Sequence, residues 1–264
     1  MCESSHHLAG LRKRVARLAA SGGCESRRAD GWLATGHAAF DAALGGGLAI
    51  GRVHEIFATD PLDAASAATF AALLALRGAG EGRAPLLWLR TRDAGVRAGH
   101  VYAPGLADLG GDPRRLLLVE TADTKALLAC ANDAARCPGS AAVVVESWGK
   151  LPALDLTAGR RLALGARDAG VTMLLLRFDA QPVPSAAETR WNIAAAASRA
   201  LEAEAPGAPA FDLELLRWRA GPAGMRWRLE WDGDEQVFRG PALSGAVLPL
   251  SADRATVPRG AAAA

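Results

Sequence analysis

The stretch Gly45-Gly46-Gly47-Leu48-Ala49-Ile50-Gly51-Arg52-Val53-His54-Glu55-Ile56-Phe57-Ala58-Thr59-Asp60-Pro61-Leu62-Asp63-Ala64-Ala65-Ser66 decides how this chain is read. Glycines lead into a short strand, Arg52 to Phe57, then a turn, then an Ala/Leu helix predicted over 62–77. That is the layout of a phosphate-binding loop, in which a strand delivers the chain to a helix N-terminus. A working loop of this kind has the form GxxxxGK[ST]. Its amides cradle the phosphates, Lys reaches the outer ones, and Ser or Thr holds magnesium. Here Ala58 stands at the first glycine, and Asp63, Ala64 and Ala65 stand at Gly, Lys and Thr. Sliding the frame by one residue brings Ser66 to the Thr position but leaves Ala65 at the Lys. Pro61 removes an amide donor, and Asp60 and Asp63 add negative charge where a phosphate would sit. The layout is that of a nucleotide-binding fold, and the residues that hold a nucleotide are missing. Neither ATP nor another cofactor is expected.

Downstream, apolar runs alternate with helical patterns. Strands are predicted at 85–90, 116–120, 141–146 and 171–177, each buried on both faces. Helices are predicted between them, one capped by Asp123 and running to Cys137, another capped by Thr157 and stopped by Gly170. The stretch between residues 91 and 101 reads as a loop. This alternation implies an α/β fold whose mostly parallel sheet is covered by helices on both faces. Residues 189–198 read as another strand and 202–210 as a linker. Phe211–Arg219 and Met225–Trp231, flanking Gly221-Pro222-Ala223-Gly224, then form a β-hairpin. Met225, Trp227, Leu229 and Trp231 alternate with polar residues, so one hairpin face is buried and one is wet. The predicted organisation is an N-terminal helix and linker (1–31), an α/β core (32–200), a C-terminal β-hairpin extension (201–239) and a disordered tail (240–264).

The N-terminal helix carries Leu8, Leu11, Val15 and Leu18 on one narrow stripe, with Arg12, Lys13, Arg14 and Arg17 over much of the rest. It can fold back on its own core, dock on a partner, or touch DNA with its basic face.

The 264 residues are half hydrophobic and 22% charged, with a formal net charge of +2, so the total charge makes no case for a nucleic-acid or membrane partner. The cysteines Cys2, Cys24, Cys130 and Cys137 form no CxxC pair and no metal-ligand spacing, which points to a reduced, cytoplasmic setting and no metal. No apolar leader and no run of about 18 apolar residues is present, so neither export nor membrane spanning is expected. His54, on the first core strand, reads as a structural histidine. Val143-Val144-Val145-Glu146 has the form of a strand that presents a magnesium-binding acid, with Glu146 in that place. Without the lysine, a structural hydrogen bond or ion pair fits it better. No nucleophile–base pair stands out, so no catalytic residue is expected. Arg217, Arg219, Arg226 and Arg228 on the hairpin leave two readings open: phosphate contact, or a solvated face paired with Glu214, Glu230 and Asp232.

Thr35-Gly36-His37, Phe40-Asp41-Ala42-Ala43-Leu44-Gly45-Gly46-Gly47-Leu48 and Gly51-Arg52-Val53-His54-Glu55-Ile56 together resemble the segment that leads into the Walker loop of RecA-type recombinases. Four further stretches narrow this: Tyr102-Ala103-Pro104-Gly105-Leu106, Leu154-Asp155-Leu156-Thr157 with Arg160-Arg161-Leu162, Pro184-Ser185-Ala186-Ala187-Glu188-Thr189-Arg190-Trp191, and Trp227-Arg228-Leu229-Glu230-Trp231. Over roughly residues 8–232 the chain resembles the inducible mutagenesis protein A (ImuA) family, RecA-like and sometimes labelled SulA-related. The resemblance implies a RecA-like core and a non-catalytic accessory role in SOS-induced, error-prone translesion DNA synthesis. The implied partners are the Y-family-like polymerase homologue ImuB and an error-prone C-family polymerase, with RecA as a further candidate and DNA touched weakly or indirectly. The stripe at Leu8, Leu11, Val15 and Leu18 falls where RecA-type proteins carry a protomer-linking helix, which adds self-association to partner binding. The departures at Ala58, Asp63, Ala64 and Ala65 bar carrying over ATP-driven strand exchange. Two rivals are an active RecA-like ATPase with an unorthodox loop and a SulA-like inhibitor of cell division.

Overall fold

The computed structural model describes residues 31–79, 84–199, 201, 205 and 207–241. The stripe Leu8, Leu11, Val15 and Leu18 and the tail after 241 lie outside the described residues. Strand β1 (Trp32–Leu33) is followed by helix α1 (Ala38–Ala43), and β2 (Leu48–Ala49) pairs back on β1. Asp41 ties this ribbon together, its carboxylate accepting from the amides of Thr35 and Gly36 and from the Thr35 hydroxyl. The main sheet begins with β3 (Val53–Ala58), after which a 3-10 turn, Pro61–Asp63, leads into α2 (Ala64–Ala79). Then follow β4 (Leu86–Thr91), α3 (Arg92–Ala98), α4 (Ala103–Asp108), β5 (Leu116–Thr121), α5 (Thr124–Ala134), β6 (Ala142–Trp148), α6 (Leu156–Ala169), β7 (Met173–Phe178) and β8 (Thr189–Ala195). The chain closes with β9 (Ala210–Trp218), β10 (Arg226–Asp232) and β11 (Val237–Arg239).

Among the described residues the sheet has nine strands in the order β11-β10-β9-β8-β3-β7-β6-β4-β5. From β8 to β5 every pair is parallel, and β9, β10 and β11 are antiparallel. Pleating sends alternate residues of β3 to opposite faces. Ile56 and Ala58 join the core with Phe70, Leu73, Leu74 and Trp191, beneath α2. Val53 joins the second core with Leu127, Leu162, Leu175 and Ala187, beneath α5 and α6. The Ala/Leu content of α2 favours a helix intrinsically and lets it lie close to the sheet. By length and composition Pro61–Ala79 could cross a membrane, but Phe70, Leu73, Leu74, Leu76 and most of its alanines are packed into this chain's own core.

The C-terminal hairpin forms as expected, and because β9 pairs with β8 it extends the core sheet, to which β11 adds a further strand. Other sequence expectations shift. Asp155, rather than Thr157, caps α6: its carboxylate accepts from the Ala158 amide at 2.7 Å. The stretch read as a loop contains α3, started by Thr91, whose hydroxyl accepts from the Ala94 amide. Strand β5 is an edge strand whose leucines are only half-buried. Helix α5 is capped by Asp123 as expected but ends at Ala134, so Cys137 lies beyond it.

Candidate functional site

The turn after β3 is where a nucleotide phosphate would lie. Ala58 is the fully buried last residue of that strand. Asp60 caps the 3-10 turn by accepting from the Leu62 amide at 2.9 Å. Asp63 accepts from the Ala195 amide at 2.8 Å, and the Thr59 hydroxyl donates to Asn192. The turn is therefore laced to the far end of β8. Ala64 is buried and Ala65 exposed, and neither carries a group that reaches toward the turn. A phosphate here would meet two carboxylates and no lysine, and Coulomb repulsion within a few ångströms opposes it.

Glu146, two residues before the end of β6, is buried and accepts from the indole of Trp88 at 2.8 Å and from that of Trp148 at 3.2 Å. Trp148 in turn packs edge-on against Phe178. A neutral N–H occupies each carboxylate oxygen, which gives Glu146 the structural role that the absent lysine suggested for it.

His54 and Glu55 are neighbours on β3 and serve opposite faces. His54 is fully buried, with Nδ1 at 2.7 Å from Thr189 Oγ1 and Nε2 at 2.9 Å from the Ala49 carbonyl. The carbonyl can only accept, so Nε2 carries the proton and Nδ1 accepts from Thr189. The Trp191 indole donates to Thr189 Oγ1 at 2.7 Å and completes the chain of bonds. Burial lowers the His54 pKa from 6.5 to about 4, the nearby Arg52 charge adds to this, and the Ala49 hydrogen bond opposes it. The ring stays neutral near pH 7. It is a structural histidine.

Glu55 accepts from Arg190 Nε at 2.8 Å and from the Ser185 hydroxyl at 2.9 Å. Arg190 also holds the Val183 carbonyl. These bonds fasten the helix-free crossover from β7 to β8, residues 179–188, onto the sheet. Arg177, level with Phe57 across the β3–β7 pair, is a second buried guanidinium on this face. Burial lowers its pKa, Glu55 works against this, and Arg190 adds to it. Nothing in the sequence brings Glu55, Arg177 and Arg190 together before the sheet order is known.

Each of the four hairpin arginines has a place within the chain. Arg217 donates to the Ala187 carbonyl at 3.1 Å and Arg219 to the Ala186 carbonyl at 3.4 Å, clamping the crossover from outside. Arg226 pairs with Glu214 at 2.9 Å. Arg228 pairs with Asp212 through both nitrogens at 2.7 Å, where the sequence pointed to Glu214, Glu230 and Asp232 as partners.

No family model matches the chain. Protein ImuA of Caulobacter vibrioides, in each of two strains, is 33% identical over 193 residues, which span 68% of this chain and 75% of the relative. The chain belongs to the ImuA family. The crystal structure of the RadB recombinase matches with a TM-score of 0.52 at 15% identity, covering 80% of this chain and 100% of that one. At that identity the likeness speaks for the fold, and the fold of this ImuA-family chain is RecA-like.

Proposed function

We propose that this ImuA-family chain is a RecA-like accessory protein of damage-induced mutagenesis that works in the cytoplasm by binding polymerase partners, and not by turning over ATP. The observation that carries the reading is the turn after β3. Asp60 and Asp63 spend their carboxylates on the chain's own amides, and no lysine stands where one would reach a phosphate. A RecA-like sheet freed from nucleotide chemistry keeps a rigid frame with loops clustered at the carboxyl ends of its strands, the end where open α/β sheets bind ligands. The partners in this reading are a Y-family-like polymerase homologue and an error-prone C-family polymerase, acting in SOS-induced translesion synthesis.

Affinity capture of the tagged full chain from DNA-damaged cells tests it. Recovery of those polymerases is expected. Recovery of cell-division proteins alone contradicts the reading. Within the same experiment, Leu11→Asp with Val15→Asp should weaken polymerase recovery if the N-terminal stripe is the docking element.

A further inference from the structure

On the face of the sheet under α6, two guanidiniums share one carboxylate. Arg177 is 5% exposed and Arg190 8%, and Glu55 is 1% exposed. Glu55 is engaged by Arg190 and Ser185 through the same oxygen, Oε2. Arg177 Nε is buried and has no hydrogen-bond partner among the described residues. Its support is the shared charge of Glu55 and the ring of Phe57, which lies 5.8 Å from the Arg177 guanidinium carbon and 5.7 Å from that of Arg190. A buried charge that must share its counterion, and a buried donor without an acceptor, are each costly. This cluster carries both costs at one residue, and a single bound anion would relieve both.

We propose that Arg177, flanked by Phe57 and Arg190, is a binding position for one carboxylate group, supplied by a small acid or by an Asp or Glu side chain inserted by a partner. Two arginines and one glutamate leave one positive charge, which a singly charged carboxylate cancels and a phosphate dianion exceeds. The planar guanidinium fork matches a carboxylate through two parallel hydrogen bonds. A nucleic-acid backbone fits less well, because the neighbouring hairpin arginines are already taken by Glu214, Asp212 and the crossover carbonyls. The crossover is bonded to this cluster through Ser185 and Val183. Its later part is stapled by Arg190, Arg217 and Arg219, whereas Gln181 and Pro182 are exposed. The proposal stands independently of the polymerase-binding reading.

The test is thermal unfolding of the full chain at fixed ionic strength in chloride, acetate or phosphate, and in chloride with N-acetyl-Ala-Asp-Ala-amide or its Asn counterpart. Wild type is compared with Arg177→Leu. Acetate or the Asp peptide should raise the wild-type midpoint by about 3 °C or more over chloride, and the gain should vanish in Arg177→Leu. In chloride alone Arg177→Leu should melt no lower than wild type, since an apolar replacement removes a buried charge that only shares a counterion, and Glu55 keeps Arg190. A gain with acetate assigns the site to small acids as well, and a gain with the Asp peptide alone assigns it to an inserted side chain. Equal shifts in both proteins, no shift, or a shift with phosphate alone overturns the proposal. Should Arg177→Leu fail to fold, the Nε–H resonance of Arg177 in the wild-type chain decides, assigned through Arg177→Lys. It moves on carboxylate addition if the proposal holds and stays fixed if it does not.

Discussion

The turn after β3 and the crossover after β7 leave the sheet side by side, from residues paired in register, Ala58 and Phe178. Their electrostatics are opposite. The turn carries Asp60 and Asp63, each bonded to a backbone amide of the same chain. The crossover lies over Arg177 and Arg190, with Glu55 to balance one of them. A phosphate-binding RecA-like sheet would place its positive charge at the first of these connections. In this protein the turn is acidic and closed on itself, and the surplus cation is found under its neighbour. Fold and site chemistry are thus separable, as expected where function lives in sites grafted onto a scaffold.

The largest expected effect comes from the crossover side. Glu55→Gln leaves Arg177 and Arg190 buried without a carboxylate, and breaking a buried pair from one side costs about 3–5 kcal/mol. Urea unfolding at neutral pH measures it, and a loss below about 1 kcal/mol would mean that the cluster is solvated. The next effect sets the two faces of β3 against each other. His54 binds a proton at 6.5 when unfolded and at about 4 when folded, so the unfolded state takes up the proton first as the pH drops. Stability is full above pH 6.5, declines between 6.5 and about 4, and is lower by about 3 kcal/mol once both states are protonated. His54→Gln should flatten that part of the profile, and an unchanged slope would assign the loss to other groups. On the turn, Asp63→Ala removes the acceptor of the Ala195 amide and should cost about 1 kcal/mol. A cost indistinguishable from zero in urea unfolding would show that the turn is not laced to β8. The smallest effect belongs to Arg226→Ala, whose exposed pair with Glu214 should contribute less than about 1 kcal/mol.

The parallel core was legible in the sequence because strands buried on both faces leave unbroken apolar runs, as Val143-Val144-Val145 does. The same signal misplaced β5, since Leu116-Leu117-Leu118-Val119 looks alike in the middle of a sheet and at its edge. Helix α3 escaped notice because a short helix with Gly95 inside it has no apolar period to read. Asp155 and Thr157 are both good capping residues two positions apart, and only the backbone geometry chooses Asp155. The missing lysine of the phosphate turn could be read directly, because that site is one continuous stretch. The cluster on the opposite face could not: Glu55 and Arg190 are 135 residues apart and meet only once β8 is laid beside β3. His54 and Thr189, equally distant, meet for the same reason.

On the function proposed above, the turn after β3 holds no phosphate and the RecA-like frame serves binding alone. Isothermal titration of magnesium and ATP into the full chain tests this most directly. No saturable heat is expected up to millimolar nucleotide, in wild type and in Asp63→Ala alike. One-to-one saturable binding that is lost on mutating the turn would contradict it.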